Sequence, residues 1–198
     1  EFVEQNVFSC ALSRYAHDEA TAKSFVLNGF GIRCADFVRE LSEFDLRNNS
    51  CDAVFRELSA DEFRSVEQLQ RGLHRHLANA PVFFPGDDFD EWFGQWIKRD
   101  TMRIFAAEAD GRIIGFISVD DTAENFITEH GAMKNICGAY FDENYRGNGI
   151  AQALLAFIAD TLKAEGVTHL GVDCETLNPT ALNFWGKFFT PYTYSFAR

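Results

Sequence analysis

Basic residues are scarce in this chain of 198 residues, which has 18 lysines and arginines against 30 aspartates and glutamates. The resulting formal charge of −12 repels phosphate backbones, so it argues against nucleic-acid binding, whereas cationic substrates such as amines are tolerated. Long hydrophobic runs are also missing, since none approaches the ~20 residues that a membrane-spanning helix requires. The first residues show no signal-peptide pattern. We expect neither a nucleic-acid nor a membrane partner.

Paired cysteines are missing as well. The five cysteines are odd in number, widely spaced and never arranged as C-x-x-C, so they indicate neither a zinc site nor a disulfide framework. They are Cys10, Cys34, Cys51, Cys137 and Cys174. We therefore expect no metal and a reducing, cytoplasmic environment. The abundant residue is phenylalanine, whose 21 copies predict an aromatic-rich core.

From residue 52 onward, hydrophobic periodicity predicts an α/β domain with the element order β-α-α-β-β-β-α-β-α-β. Asp110-Gly111 lies between two β-rich runs in residues 103–119 and suits a tight hairpin turn. The other predicted strands cover residues 53–58, 135–141, 168–174 and 192–197. The predicted helices cover residues 60–77, 88–98, 150–165 and 179–188. The acidic segment 120–131 is interpreted as a loop.

The most informative segment joins a strand to a helix through Arg146-Gly-Asn-Gly-Ile-Ala151. Its two glycines let the backbone approach a ligand closely, and the free amides of the first helical turn form an anion site suited to a pyrophosphate. A dinucleotide-binding fingerprint needs a third glycine where Gln152 stands, and a Walker loop needs Gly-Lys-Ser/Thr. An ordinary turn without a ligand is the alternative.

Three segments in order resemble the GNAT (GCN5-related N-acetyltransferase) family over residues 52–198. Arg146-x-x-Gly-x-Ala151, preceded by Tyr140-Phe-Asp-x-x-Tyr145 and followed by an Ala-Leu-Leu helix, is similar to the acetyl-CoA signature. The hairpin Asp110–Gly115 and the segment Asn178-Pro-Thr-Ala-x-x-Phe-Trp185 match two further elements. The resemblance implies a mixed, mostly antiparallel sheet flanked by helices, with acetyl-CoA (coenzyme A) as co-substrate.

The resemblance implies cofactor-binding roles at one strand end, the loop after it and the start of the last helix. These residues are Ala139, Tyr140, Phe141, Arg146, Gly147, Asn148, Gly149, Ile150, Ala151, Asn178 and Trp185. The first three would bond the pantetheine arm at a bulge between splayed parallel strands, and the glycine-rich amides would hold the pyrophosphate. Asn178 would reach the pantetheine or acyl end, and Lys187 would approach a phosphate. Simple core packing is an equal alternative for Phe184 and Trp185.

Attack of a primary amine on a thioester requires a base for the ammonium, polarisation of the carbonyl and an acid for the leaving thiolate. Relatives commonly have a tyrosine where this chain has Trp185, whose indole N–H is no usable acid. Tyr194, or alternatively Tyr192, is the candidate acid on the following strand, although either suits strand packing. Glu129 and His130 are the candidate bases, in a loop whose charges would otherwise simply be solvated.

These residues predict an acetyl-CoA-dependent N-acetyltransferase that acts on an amine of a small molecule or peptide. The alternative is a catalytically weak or inactive acyl-CoA-binding module, which Trp185 favours. Transfer of a different acyl group on the same fold is a third hypothesis. An acyl-cysteine route through Cys137 or Cys174 lacks a histidine partner in the sequence.

Residues 1–45 predict a strand-helix-strand that resembles the end of the chain. A shift of 160 positions aligns Asp18 with Asn178 and Phe25 with Trp185, so we interpret the segment as the partial C-terminal half of a preceding GNAT copy. The chain would then be a fragment of a tandem protein with its full domain at 52–198. An unrelated N-terminal extension is the alternative. A homodimer is expected if the half repeat leaves a sheet edge open.

Overall fold

The computed structural model describes residues 3–6, 9–44, 46, 51–79, 88–123 and 130–198. The chain divides into two compact units, one formed by Glu1–Val38 with Val172–Arg198 and the other by Arg39–Gly171. The helices are α1 (Glu19–Leu27), α2 (Glu67–Asn79), α3 (Phe89–Trp96), α4 (Ile150–Ala164) and α5 (Pro179–Trp185). The strands are β1 (Ala11–Tyr15), β2 (Gly31–Glu40), β3 (Val54–Glu57), β4 (Arg103–Ala109), β5 (Arg112–Asp120), β6 (Met133–Phe141), β7 (His169–Glu175) and β8 (Thr190–Ala197).

The second unit contains an antiparallel run of strands in the order β3-β4-β5-β6. The β4–β5 turn has positive φ angles at Asp110 (52°) and Gly111 (73°), as the hairpin prediction requires. Helices α2 and α3 pack on one face in a cluster that includes Phe93, Trp96 and Phe116. On the other face, the ring of Phe157 in α4 lies 6.3 Å from that of Phe105.

The first unit orders its strands β1-β8-β2-β7, with β8 antiparallel to both β1 and β2. Helix α1 packs against β8 through Phe25, whose ring lies 5.3 Å from that of Phe196. The predicted α/β fold with a mostly antiparallel sheet and flanking helices is confirmed. The strand-helix-strand predicted in residues 1–45 is present as β1, α1 and β2.

Three element boundaries differ from the sequence prediction by more than two residues. The sequence predicts a turn and strand over residues 29–35, whereas strand β2 continues to Glu40, because its second half pairs with the start of β8. The helix predicted for 60–77 begins as a 3₁₀ helix over Ala60–Val66 before α2. Helix α5 ends at Trp185 instead of residue 188, and Gly186 follows as its C-cap. Residues 45–51, whose polar sequence predicts a linker, lie mostly outside the described residues.

The 160-residue shift relates the two strand-helix-strand segments of the first unit in detail. Asp18 and Asn178 are both N-caps, and each side chain accepts the amide three residues later, from Thr21 at 3.1 Å and Ala181 at 3.3 Å. The Thr21 hydrogen bonds also lower the pKa of Asp18 below its ordinary value. The same kind of cap therefore starts helices α1 and α5.

The register between β2 and β8 repeats under the same shift. Gly31 pairs with Ala197, and moving each residue by 160 positions gives Phe37 with Pro191, which is also a pair. The pair of Ala35 with Tyr194 likewise becomes Cys34 with Ser195. This approximate two-fold relation is compatible with a duplicated origin, which stays a prediction.

Deletion of residues 1–45 would remove β1 and also β2, which lies between β8 and β7 in the strand order. We expect a lower melting temperature and aggregation or association in size-exclusion chromatography, because the fully buried Phe196 loses its covering residues. Deletion of residues 1–9 only, which ends before β1, is the control and should leave both properties unchanged. A 1–45 deletion that stays monomeric with an unchanged melting temperature would contradict the prediction.

Candidate functional site

A β-bulge interrupts the pairing of β5 with β6. Ser118 pairs with Gly138, whereas the next residue, Val119, pairs with Ile136, so Cys137 is the extra residue of β6. The bulge comes two residues before Ala139, at the start of the segment that was expected to bond a pantetheine arm. This bulge lies between antiparallel strands, so the bulge that the resemblance implies between splayed parallel strands at Ala139–Phe141 stays a prediction.

Helix α4 begins without a side-chain cap. Gly147 and Gly149 have φ angles of 84° and 77°, and Gly149 itself is the N-cap. The first turn of this 15-residue helix contains no acidic residue. Amides at such a helix start and the helix dipole attract an anion. Because any other residue at 149 would be strained by the positive φ, Gly149→Val would test backbone strain as well as ligand binding.

Arg146 holds a positive charge beside this loop. Its Nε donates to the carbonyl oxygen of Phe141 at 2.9 Å, and its guanidinium lies 4.9 Å from the centre of the Tyr140 ring. Its Nη1 is 3.7 Å from the carboxylate of Glu143. The Arg146 side chain is therefore fixed at the end of β6, where the cofactor loop starts.

Gly72 in α2 is a further residue on which this region depends. A Cβ at this position would lie 2.6 Å from the Tyr140 ring, so only glycine leaves room for that ring. No sequence prediction gave Gly72 a role. A glycine inside a strongly helical pattern usually marks close packing, and this pattern could have indicated the contact.

Asn178 and Trp185 belong to the first unit, at the two ends of α5. Asn178 is 7% exposed and its Oδ1 accepts the Ala181 amide, so this oxygen already caps the helix. Trp185 is 5% exposed and packs edge-on against Phe184 and Phe189, with ring centres 4.8 and 5.7 Å apart. This packing favours a core role for Trp185, while Lys187 is exposed. Cofactor contacts by Asn178 and Trp185 stay predictions.

The two candidate acids have different surroundings. Tyr192 lies edge-on to Tyr15, and burial together with a hydrogen bond to Tyr15 raises its pKa above the ordinary value. Tyr194 pairs with Ala35 across the β2–β8 ladder and lines a cavity beside α5. The raised pKa and the hydrogen bond to Tyr15 disfavour Tyr192 as a proton donor, and the acid role of Tyr194 stays a prediction.

The candidate bases are less well supported. Glu129 lies outside the described residues. His130 is exposed, and its Nδ1 accepts the Ala132 amide at 3.3 Å, so the neutral ring of this arrangement carries its proton on Nε2. Nε2 would then donate instead of accepting a proton. The base role of His130 stays a prediction that requires a different ring arrangement.

The acidic residues before that loop have structural partners. Asp120 is fully buried, accepts hydrogen bonds from the Thr101 hydroxyl and the Asp121 amide, and lies 3.2 Å from Arg99. Asp121 pairs with Lys134. Both carboxylates are thus engaged in holding the end of β5.

The cysteines differ in their ability to react. Cys137 is exposed at the bulge of β6. Burial raises the pKa of the Cys34 thiol and raises that of Cys174 to about 12, with nearby carboxylates adding to both shifts. Because the thiolate is the nucleophile, Cys174 is poorly suited to an acyl-enzyme route.

Neither a metal-binding cluster nor a membrane-spanning helix occurs among the described residues. Within them, no three His, Cys, Asp or Glu side chains are grouped so that they would hold a metal ion. The helices described are all too short or too polar to cross a membrane.

Residues 63–189 match the family model described as the acetyltransferase (GNAT) family, which is more than half of the chain. The chain belongs to this family. A comparison with curated protein sequences gave no match.

Solved structures support the same fold at low sequence identity. One is a GCN5-related N-acetyltransferase from Sphaerobacter thermophilus, with TM-score 0.64 and 14% identity over 96% of this chain and 60% of that one. Another is a GNAT-family acetyltransferase from Colwellia psychrerythraea, with TM-score 0.61 and 14% identity over 99% and 69% of the two chains.

A third similar structure is the PaiA N-acetyltransferase of Thermoplasma acidophilum in complex with coenzyme A. Its TM-score is 0.55 and its identity 14%, over 73% of this chain and 98% of that one. At these identities the similarity establishes the fold, and the ligand of that structure belongs to that protein.

The difference between the cysteines predicts their order of alkylation. At neutral pH, iodoacetamide should modify Cys137 readily and Cys174 only after unfolding, because burial suppresses the Cys174 thiolate. Peptide mass spectrometry over time measures both rates, with Cys10, another exposed cysteine, as the internal control. Cys174 modification as fast as that of Cys10 in the folded protein would contradict this prediction.

Proposed function

We propose that the protein is an acetyl-CoA-dependent N-acetyltransferase that moves an acetyl group to a primary amine of a small molecule or peptide. The observation that carries this proposal is the start of α4. There, two glycines with positive φ expose the first-turn amides without any acidic side chain, directly after the bulged strand β6. Membership of the acetyltransferase family supports it.

The α4 amides from Gly147 to Ala151 would hold the pyrophosphate of coenzyme A, and Arg146 would add a positive charge beside them. The backbone of Ala139, Tyr140 and Phe141 would bond the pantetheine arm. The bulge at Cys137 distorts β6 two residues before this segment, and Ala139, Tyr140 and Phe141 themselves pair with Ile117, Phe116 and Gly115 of β5. Asn178 remains the proposed contact to the far end of that arm.

Coenzyme A supplies an activated acetyl thioester when bound. The amine nitrogen would form a C–N bond with the acetyl carbonyl carbon as the C–S bond breaks. The ammonium would lose one proton to a base before attack, for which Glu129 and His130 are the proposals. The thiolate would take a proton from Tyr194, and the second proton that the nitrogen loses as the amide forms would restore the Tyr194 hydroxyl. The products are an amide and the free thiol of coenzyme A. A tyrosine that acts only as the leaving group departs would lower the activation barrier without changing the affinity for acetyl-CoA.

A non-catalytic acyl-CoA-binding module is the second candidate. It is favoured by the buried Trp185, which stands where relatives commonly have a tyrosine acid and is fixed among phenylalanine rings. Binding of acetyl-CoA without thiol release across a panel of amines would support the module over the enzyme.

The pyrophosphate assignment predicts the effect of Asn148→Asp. Asn148 is exposed in the loop before α4, and a carboxylate there would repel the anion, so affinity for acetyl-CoA should fall about tenfold. Thermal stability should not fall, because a negative charge at a helix N-terminus is favourable. Isothermal titration calorimetry and thermal unfolding measure the two properties separately.

Asn183→Asp is the matched control, because it makes the same chemical change at an exposed position inside α5. It should leave acetyl-CoA affinity unchanged. Equal affinities for acetyl-CoA in the wild type, Asn148→Asp and Asn183→Asp would contradict the assignment of the pyrophosphate to the start of α4.

The acid assignment predicts that Tyr194→Phe lowers kcat about 100-fold while acetyl-CoA affinity stays nearly constant. The pH dependence of kcat should change with it, which loss of packing alone would not cause. Tyr192→Phe is the control, since its hydroxyl is engaged with Tyr15. A Tyr194→Phe protein with normal kcat would contradict the acid role and leave Tyr194 with a packing role.

A further inference from the structure

A cavity of about 420 Å³ lies inside the first unit, between α5 and strands β2 and β8. This volume falls in the range of small-molecule sites. It is lined by Ile32, Ala35, Phe37, Thr176, Leu182, Gly186, Pro191 and Tyr194. Tyr194 has a role in the proposed function, whereas the other residues of the cavity wall have none.

The walls of the cavity are apolar. Among the lining residues, only Thr176 and Tyr194 have polar side-chain atoms, and the Thr176 hydroxyl already donates to the carbonyl oxygen of Ile32. A charged or strongly polar ligand would lose its hydration here without gaining partners. The ligand that fits these walls is an aliphatic chain.

Small residues keep the cavity open. Ala35 is fully buried and contributes only a methyl group, and Gly186 contributes no side chain. Space at Gly186 is already tight, since a Cβ there would lie 3.0 Å from the Leu182 carbonyl oxygen. The opening beside α5 thus comes from the backbone arrangement of α5 as well as from the absence of large side chains.

Tyr194 connects the cavity with the reaction. It lines the cavity, and it is also the proposed donor of a proton to the leaving thiolate. A proton donor must come within hydrogen-bond reach of the sulfur, and the acyl carbonyl carbon is bonded to that sulfur. In the proposed reaction, a chain that continues from this carbon would therefore start beside Tyr194.

We propose that this cavity binds the aliphatic chain of an acyl-CoA longer than acetyl, so that the enzyme prefers medium-chain acyl groups such as hexanoyl or octanoyl. This inference rests on the proposed function. The transfer keeps the same balance: the amine nitrogen bonds to the acyl carbon and the C–S bond breaks. The ammonium loses two protons in all, of which one is made up at the thiolate and one is released through the base.

The first experiment compares acyl-CoA thioesters from acetyl to decanoyl, by calorimetric binding and by thiol release with a panel of amines. Each buried methylene is worth up to about fourfold in affinity. We expect octanoyl-CoA to bind at least tenfold more tightly than acetyl-CoA, with the gain ending once the cavity is full. Octanoate with free coenzyme A is the arm that tests a free fatty acid as the source of the chain.

The second experiment fills the cavity. Leu182→Trp places a large ring in its wall, and it should abolish the preference for octanoyl-CoA while acetyl-CoA binding is unchanged. Asn183→Trp is the control, because it places the same ring on the neighbouring exposed position of α5. Leu182→Phe provides a milder filling variant if the tryptophan variant does not fold, and it should reduce the preference.

Three results would overturn the inference. Octanoyl-CoA binding no tighter than acetyl-CoA would overturn it and leave the proposed acetyltransferase standing. Free octanoate binding as tightly as octanoyl-CoA would show that the cavity is a fatty-acid site. Failure of every thioester, acetyl-CoA included, to bind or react would overturn the proposed function itself.

Discussion

The pairing of β2 with β8 is the interaction on which the first unit depends. Strand β8 lies between β1 and β2, and β2 lies between β8 and β7. Each strand-helix-strand segment therefore has a strand of the other segment between its own two strands. The ladder also encloses polar groups, since the buried carboxylate of Asp36 accepts a hydrogen bond from the buried Thr193 hydroxyl opposite it. Because Tyr194 follows Thr193, the same register places Tyr194 opposite Ala35 and so forms one wall of the cavity.

In the second unit, helix α4 begins without a side-chain cap, so the backbone amides of its first turn remain available. A regular helix start would be capped by a serine or aspartate, as α3 is by Asp88. Helix α4 has glycine at this position instead, and the loop before it is fixed by Arg146 bonded back to the end of β6. A helix without a side-chain cap is less stable, and the burial of Leu154, Leu155 and Ile158 offsets this loss of stability.

Local sequence signals predicted most of the fold, and long-range packing explains what they missed. The Asp110-Gly111 turn and the start of α4 depend on neighbouring residues, and the structure has them as predicted. The extension of β2 to Glu40 depends on a partner strand about 150 residues later, so no local pattern marks it. The same applies to the bulge position, to the contact of Gly72 with Tyr140 and to the cavity, each of which joins distant segments.

The net charge of −12 sets a limit on how such a protein binds an anionic cofactor. Its overall field would oppose the approach of the phosphates of the proposed coenzyme A ligand, so affinity would have to come from short-range groups that act inside the Debye length of about 8 Å. The acid-free first turn of α4 and the charge of Arg146 are such groups. Burial of an apolar chain is another, because its free energy is independent of charge. In the proposed acyltransferase, burial of an acyl chain would therefore supply affinity that the acidic surface does not oppose.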